Sequence, residues 1–435
     1  MKYIIVGTGV AGVAAIEAIR SADATGGITM IGDDPHGYYS RPGLAYYLTG
    51  EVNDRQLYPP FAEELQKLQV RYVRGLVKNI SQAGHQIDLQ NGTSLKYDRL
   101  LLATGAYAKP LSIPGAMLPE VVKLDHLGDA RKILKLARRG KTAVVVGGGI
   151  TALEIVEGLI ARGTRIHYLL RGDRYWSNVL DAAESKLVEH RLKEEGVEVH
   201  HHAELKEIQG RGKVQAIRLA DGRVLRCDLV AYAIGILPRL ELARQAGLEI
   251  DRGILVDQYM HTNVPDIFAA GDAAQVYDPR SGHSILDSLW GTARDQGRAA
   301  GLNMAGRQTA YNKSLPFNVT RLAGLTTTII GAVGSGRDED ISGIARGDSE
   351  AWRELPEAMA VQAEFDINHV RLLVGKRTLI GAVIMGDQLL SRPLEKLIAD
   401  EVDISPIRTQ LLSGGAGIAD LISDYWAKWK KLHTS

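Results

Sequence analysis

The residues best placed to do chemistry are two glycine turns. The first, GTGVAG at 7–12, sets Gly7, Gly9 and Gly12 at GxGxxG spacing. It comes directly after an apolar run at 2–6 and opens a helical stretch at 13–20. Glycine there permits a tight turn, close backbone approach to a pyrophosphate and close helix–strand packing. The free N–H groups and the positive dipole end of the helix suit phosphate oxygens. The second turn, GGGITA at 147–152, repeats the arrangement with Gly147, Gly149 and Ala152, and alanine is tolerated at the third position. Two dinucleotide sites on one chain point to electron traffic between two nucleotides.

The segments downstream of the two turns differ in charge. Asp33 and Asp34 come after the strand-like run at 28–31, where a carboxylate can accept hydrogen bonds from ribose hydroxyls; Asp34 is the candidate. After the run at 165–170 stand Arg171 and Arg174. A guanidinium fits a 2′-phosphate, so this pair predicts NADP(H) over NAD(H), unless both are solvated loop charges. Cys227 is the single cysteine, which excludes an intramolecular disulfide, a CxxC pair and a four-cysteine cluster. Redox chemistry must therefore reside in a bound cofactor, and Cys227, inside a strand-like run, reads as a packing residue. The tract His200, His201, His202 alternates its side chains between two faces and reads as a surface triplet, so no metal site is expected.

The elements that must position these groups form two βαβ units, the building block of doubly wound parallel sheets. Between them lie an amphipathic stretch at 61–68, short strands at 70–74 and 86–89, and a proline-containing connector at 109–115. Strand-like runs at 197–201, 214–219 and 225–233 continue the second unit, and another at 266–270 leads into Gly271 and Asp272. From about 315 the texture changes to alternating runs at 326–333, 369–374 and 379–385 around a polar loop near 334–350. That pattern predicts a third, α+β domain. Near the end, Ile418, Leu421, Ile422, Tyr425, Trp426 and Trp429 recur at helical spacing beside lysines. Such a helix can dock on its own domain, on a partner subunit or on a membrane surface, and the short apolar face favours the first two.

A net charge of +1 over 435 residues gives no global reason to expect nucleic acid or an anionic membrane as the main partner. No window is apolar enough to span a bilayer and the first residues lack signal-peptide character, so the cytoplasm is the expected compartment.

With these residues in order, the chain resembles the FAD-dependent pyridine nucleotide oxidoreductases of the glutathione-reductase-like superfamily, over roughly 1–310. Gly7, Gly9 and Gly12 match the FAD fingerprint, and Ala103-Thr104-Gly105 the ATG motif where the chain passes the flavin. Gly147, Gly149 and Glu154 match the NAD(P) fingerprint, and Gly235 with Pro238 the GxxP motif. TNVPDIFAAGD at 262–272 matches the second FAD motif, whose aspartate, here Asp272, hydrogen-bonds the ribityl chain. Tyr39, Arg41, Pro42 and Leu44 are similar to the YxRPxL segment of the rubredoxin-, ferredoxin- and nitrite-reductase-like branch, which lacks the redox cysteines.

The resemblance implies catalytic roles for Glu154 and Trp290. Relatives pair the glutamate with a lysine after RPxL, near flavin N5; here Tyr46 takes that position. Glu154 either still contacts the nicotinamide or is a buried helix residue with a local partner. Trp290 opens the helix that relatives aim at the flavin pyrimidine edge, and either walls the ring or fills a helix–sheet gap.

The implied fold is α/β: two doubly wound nucleotide-binding (Rossmann-like) domains and a C-terminal α+β interface domain. The FAD domain is discontinuous, 1–113 and 246–315; the NAD(P) domain spans 114–245, and the interface domain, 316–435, supports a homodimer. NADPH or NADH reduces FAD, which passes electrons to a small redox protein of the rubredoxin or ferredoxin type or to a small-molecule acceptor. Two other readings remain open: a peripheral membrane NAD(P)H:quinone oxidoreductase, and a nucleotide-sensing flavoprotein that regulates a partner.

Overall fold

The computed structural model describes residues 1–59, 61–278, 282–313, 315–334, 344–353, 357–365, 368–415 and 417–433. Most of the polar loop expected near 334–350 therefore lies outside the described residues.

The apolar run after Met1 forms the strand Lys2–Val6 at the middle of a five-stranded parallel sheet. The spatial order is Ile267–Ala269, Arg99–Leu102, Lys2–Val6, Gly27–Gly32, Val70–Arg74. A second parallel sheet repeats it: Val121–Lys123, Leu229–Tyr232, Thr142–Val146, Arg165–Leu169, Glu198–His200. The central strands of both sheets are buried on both faces and are runs of Ile, Val and Leu, as parallel sheets require. In each, the chain reverses its direction of winding at the central strand, so a crevice opens beyond the strand ends where the glycine turns sit. Each unit also carries a three-stranded antiparallel meander, Val77–Ser81 to Ser94–Lys96 in one and Leu205–Gln209 to Val224–Arg226 in the other.

The helix Val10–Ala22 lies against the helix Trp290–Met304 at very short range. Small residues make this possible. A Cβ at Gly297 would fall 2.1 Å from the Ala11 carbonyl oxygen, and one at Gly301 2.3 Å from that of Ala15. The segment after 285 is thereby packed against the first glycine turn.

The third domain is an antiparallel five-stranded sheet in the order Phe317–Leu322, Leu325–Gly331, Leu379–Met385, Asn368–Val374, Met359–Phe365. Helices Ser391–Ala399, Arg408–Ser413 and Ile418–His433 cover one face. Ile418 and Ile422 are buried there, with Tyr425, Trp426 and Trp429 packed at the margin, so the C-terminal amphipathic helix docks on its own domain. No helix among the described residues is long and apolar enough to cross a membrane. Arg371 ties this domain to the helix Ala182–Glu194 and the loop before it, in the second nucleotide unit. Buried, it donates to Glu184 at 2.9 Å and to the carbonyl oxygens of Val333 and Val179 at 2.8 and 2.7 Å.

One strand assignment needs correction. The run 225–233 is two strands, Val224–Arg226 in the meander and Leu229–Tyr232 in the parallel sheet. Asp228 makes the break: its carboxylate accepts from the Thr142 N–H at 3.0 Å, which anchors the start of the second strand and turns the first away.

Candidate functional site

The first glycine turn is shaped by what presses on it. Gly7 has φ of +122°, and a Cβ there would lie 2.0 Å from the Ala103 carbonyl oxygen. At Gly12 a Cβ would fall 2.5 Å from the Gly7 carbonyl oxygen. These two positions are closed by the protein itself. Gly9 is different: a Cβ there meets no protein atom within 4 Å, because Gly9 faces a cavity. Packing thus demands glycine at the outer two positions and leaves the middle one open to the cavity.

That cavity measures about 800 Å³, at the upper end of the usual range for small-molecule sites. Gly7, Gly9, Asp34, Arg41, Pro42, Thr104, Gly105, Gly271, Asp272, Glu154 and Trp290 all line it. Three helices of eleven residues or more point their amino-termini into it: Val10–Ala22, Ile150–Ile160 and Trp290–Met304. None has a side-chain cap. Helices Leu127–Leu136 and Ala182–Glu194, by contrast, carry capping boxes from His126 and Asp181. Uncapped amino-termini offer N–H donors and positive dipole ends, which suit phosphate oxygens and an electron-rich ring.

Within the wall, Asp34 is partly committed to its own loop: one carboxylate oxygen accepts from the His36 N–H at 2.8 Å, the other from the Tyr39 hydroxyl at 3.4 Å. Asp33 beside it is exposed and also lines the cavity. Arg41 donates to the Asp125 carbonyl oxygen at 3.3 Å. Trp290 is 47% exposed, with the Arg294 guanidinium 5.8 Å from its ring centre. It does not fill a helix–sheet gap; its ring stands at the cavity wall.

Glu154 enters the cavity from the second nucleotide unit. Burial pushes its pKa up to about 7; the nearby Glu157 carboxylate adds to this, and Arg346 offsets it only in part. Among the described residues Glu154 has no ion-pair partner. Tyr46, which the resemblance sets in the place of a lysine, lines the same cavity as Glu154. The Tyr46 ring lies 5.4 Å from the Arg321 guanidinium, which pairs with Glu51 at 2.7 Å and approaches Glu157 at 3.8 Å. Arg321 and Arg346 both come from the third domain. Sequence reasoning misses them because each is an isolated arginine with no local motif.

The second glycine turn is built as the first. Gly147 has φ of +139°, and its Cβ would fall 2.2 Å from the Ala233 carbonyl oxygen. Ala233-Ile234-Gly235 therefore stands to this turn as Ala103-Thr104-Gly105 stands to the first. The repeat includes the residue that presses on the turn, a correspondence invisible while ATG and GxxP are read as separate motifs. Gly148 is open, but Gly149 faces Ala345, and the Ile236 N–H donates to the Ile344 carbonyl oxygen at 3.0 Å. Only about 20 Å³ is left between Gly149, Gly235, Ala345 and Arg346. Arg346 is held to Asp125 at 2.6 Å, and the Gly347 carbonyl accepts from Asn318 Nδ2 at 3.2 Å. A segment of the third domain thus covers one end of the second turn.

Arg171 and Arg174 lie on the loop after Arg165–Leu169, outside both cavities. Arg174 is engaged locally, with Asp173 at 3.1 Å and the Ser177 carbonyl oxygen at 3.2 Å; Arg171 is exposed. Cys227 is buried, and burial raises its thiol to about 12, far from a nucleophile.

Comparison with known proteins places this arrangement. Residues 1–297 match the family model described as pyridine nucleotide-disulphide oxidoreductase. The ferredoxin–NAD(+) reductase component of the biphenyl dioxygenase system of Paraburkholderia xenovorans is 30% identical over 401 residues, 88% of this chain and 95% of that protein. Rubredoxin-NAD(+) reductase of Pseudomonas putida is 32% identical over 278 residues, 63% of this chain and 72% of that one. A ferredoxin reductase structure from Rhodopseudomonas palustris superposes with a TM-score of 0.83 at 26% identity, covering 93% of this chain and 96% of the other.

Proposed function

Because this chain belongs to the pyridine nucleotide-disulphide oxidoreductase family, we propose that it oxidises NADPH through FAD held in the 800 Å³ cavity and delivers the electrons to a rubredoxin- or ferredoxin-type protein. It is an FAD-dependent NAD(P)H oxidoreductase. The nucleotide choice, the acceptor and the residue roles are the proposal. One observation carries it: three uncapped helix amino-termini and an open Gly9 face one cavity large enough for a dinucleotide and its ring.

The residues present fit FAD. Gly9 clears the space a pyrophosphate needs, and the Val10–Ala22 amino-terminus supplies donors to it. Asp272, on the cavity wall after Ala270, is placed for hydroxyl groups of the ribityl chain. When bound, FAD supplies the hydride acceptor and the two-electron store. The protein supplies position and field. The Trp290–Met304 amino-terminus would offer a positive dipole end to a reduced ring held in the cavity, and Trp290 lines the cavity wall. Glu154, with a pKa near 7, can hold or release a proton at the junction of the two nucleotide units. Gly147, Gly149 and Gly235 orient NAD(P)H, with Arg171 and Arg174 available to a 2′-phosphate.

Each NADPH yields two electrons, so two single-electron carriers are reduced and one proton is released. With Cys227 buried, no thiol relay intervenes, and the acceptor must approach the cavity itself. The rubredoxin and ferredoxin systems of the relatives support this choice. We further infer a discontinuous FAD domain at 1–113 and 246–315, an NAD(P) domain at 114–245 and an interface domain at 316–435 that supports a homodimer, working in the cytoplasm. The strand Ile267–Ala269 at the edge of the first sheet supports the discontinuity.

The test is anaerobic reduction with NADPH, then titration of rubredoxin, ferredoxin, quinones and dioxygen. Rapid oxidation by one of the two small redox proteins is the expected result. Reoxidation fastest with a quinone would reject the acceptor assignment.

A further inference from the structure

The histidine tract at 200–202 is not a uniform surface triplet. His201 turns to one face and its Nε2 lies 2.8 Å from Glu189 Oε2. His200 turns to the other, where the fold brings it a partner 33 positions earlier. His167 Nδ1 lies 3.1 Å from His200 Nε2 and 3.2 Å from Glu198 Oε2. The strand register explains the meeting. His167 and Glu198 are partners across the parallel pair Arg165–Leu169 and Glu198–His200, and His200 is two residues beyond Glu198, on the same face.

We propose that His167, Glu198 and His200 form a binding site for a divalent first-row transition ion such as Zn²⁺. The donor set is two imidazoles and a carboxylate, which suits Zn²⁺, Ni²⁺ or Cu²⁺ rather than Mg²⁺ or Ca²⁺. The spacing agrees. Ligand atoms on a tetrahedral ion with bonds of about 2.0–2.1 Å lie roughly 3.3–3.4 Å apart. Both separations fall within a few tenths of an ångström of that, and the three donor atoms all lie within 4.8 Å of one another. All three side chains stand on strands of one sheet, so the site is preorganised rather than looped. The Glu198 carboxylate is mostly exposed, which leaves solvent positions for the remaining ligands.

A second histidine–carboxylate cluster among the described residues, Asp181, Glu184 and His369, differs in a decisive way. There Arg371 sits 2.9 Å from Glu184 and supplies the compensating charge. Among the described residues no guanidinium forms such an ion pair with Glu198, whose partner is His167; Arg223, the guanidinium that acts on His200, is itself paired with Asp221 at 2.7 Å.

An ion here would act on the neighbouring loop. The Leu170 N–H donates to the His200 carbonyl oxygen at 2.9 Å, and the His202 N–H to that of Gly172 at 3.0 Å. Cross-linking the two strands would therefore stiffen the start of the loop that carries Arg171 and Arg174.

The experiment is titration of the full-length, FAD-loaded protein with ZnCl₂ by calorimetry, alongside thermal melting with and without the ion. Four proteins are compared: the parent, His167→Ala, His200→Ala, and His190→Ala. The last removes an exposed histidine that also sits beside a glutamate, Glu194, but outside the cluster. The expected result is one saturable site per chain and a Zn²⁺-dependent rise in melting temperature in the parent and His190→Ala. Affinity should fall at least tenfold in the other two, with their metal-free melting close to the parent's. Absence of saturable binding in the parent, or equal binding in all four, would overturn the site.

Discussion

The Arg346 guanidinium lies 2.6 Å from Asp125 Oδ1, and this largely buried pair pins segment 344–347 across one end of the second glycine turn. Burial alone would raise Asp125, but Arg346, Lys123 and Arg41 together hold its carboxyl below the usual range. The conformation with 344–347 in place leaves about 20 Å³ beside Gly149 and Gly235, too little for a nicotinamide ring. If NAD(P)H binds at Gly149 and Gly235 as proposed, its entry requires this segment to move aside.

Arg346→Ala should release it. Apparent affinity scales with the fraction of molecules already open, so the KM for NADPH should fall by about 5–10-fold with flavin content unchanged. Stability should drop by about 1–3 kcal/mol, less than the usual cost of orphaning a buried charge, because Lys123 remains near Asp125. Stopped-flow reduction and denaturant melts check both. A raised KM would show that Arg346 grips the nucleotide instead of blocking it.

Substitutions in the first glycine turn should separate folding from binding. Gly9→Ala meets no protein atom, so its stability should stay within roughly 0.5 kcal/mol of the parent. Its methyl group would occupy the ligand's space, and FAD retention should fall by about 100-fold or more. Gly7→Ala faces the Ala103 carbonyl oxygen at 2.0 Å with φ of +122°, and should be recovered mainly unfolded. Flavin-to-protein absorbance ratios and circular dichroism distinguish the two behaviours.

Asp272→Ala should bind FAD roughly 10–100-fold more weakly, the usual cost of losing a charged hydrogen-bond acceptor. Dialysis and then flavin fluorescence measure this. Full occupancy in that variant would remove Asp272 from the cofactor site.

Glu154 should leave a pH signature. Its folded pKa is raised to about 7 from an ordinary value of 4.5, so the folded protein holds one more proton than the unfolded chain between those values. Stability from this group is therefore greatest below pH 4.5 and declines as pH rises to about 7. Glu154→Gln should remove that decline in the FAD-free protein and gain stability relative to the parent at about pH 8. If Glu154 also gates flavin reduction, the loaded enzyme should show a pH-dependent break in that rate, and the same variant should lack it.

Double substitution of Arg171 and Arg174 by Ala should lower the NADPH-over-NADH preference by about tenfold, the value of one charge-assisted contact. Arg174 also contacts Asp173 and the Ser177 carbonyl oxygen, and the two single variants would show how the loss divides between the arginines. A parent enzyme faster with NADH would reject the arginine reading outright.

Much of this site is legible in the sequence, and the reason is local. Gly7, Gly9 and Gly12 announce themselves because strand, turn and helix come within about twenty residues, and hydrophobic periodicity marks each. Asp272 and Thr104 are legible through motifs that sit at strand ends. Contact made at long range escapes. Arg346 and Arg321 lie about 190 and 160 positions from Glu154 and Glu157, on a domain with its own core, and nothing adjacent signals their destination. His167 and His200 escape for the same reason: alternation gives the face a side chain takes, but only strand order gives its neighbour. The run at 225–233 divides because a single aspartate finds a backbone partner 86 positions away.

The sealed position of Cys227 gives the molecule a useful chemical silence. Maleimides and iodoacetamide have no accessible thiol to find on the native chain, so thiol alkylation should leave turnover intact and reducing agents should be unnecessary in its handling. A cysteine placed deliberately at the cavity mouth would then be the sole reactive thiol, and a fluorophore or cross-linker attached there would report where an incoming electron carrier lands, free of background labelling.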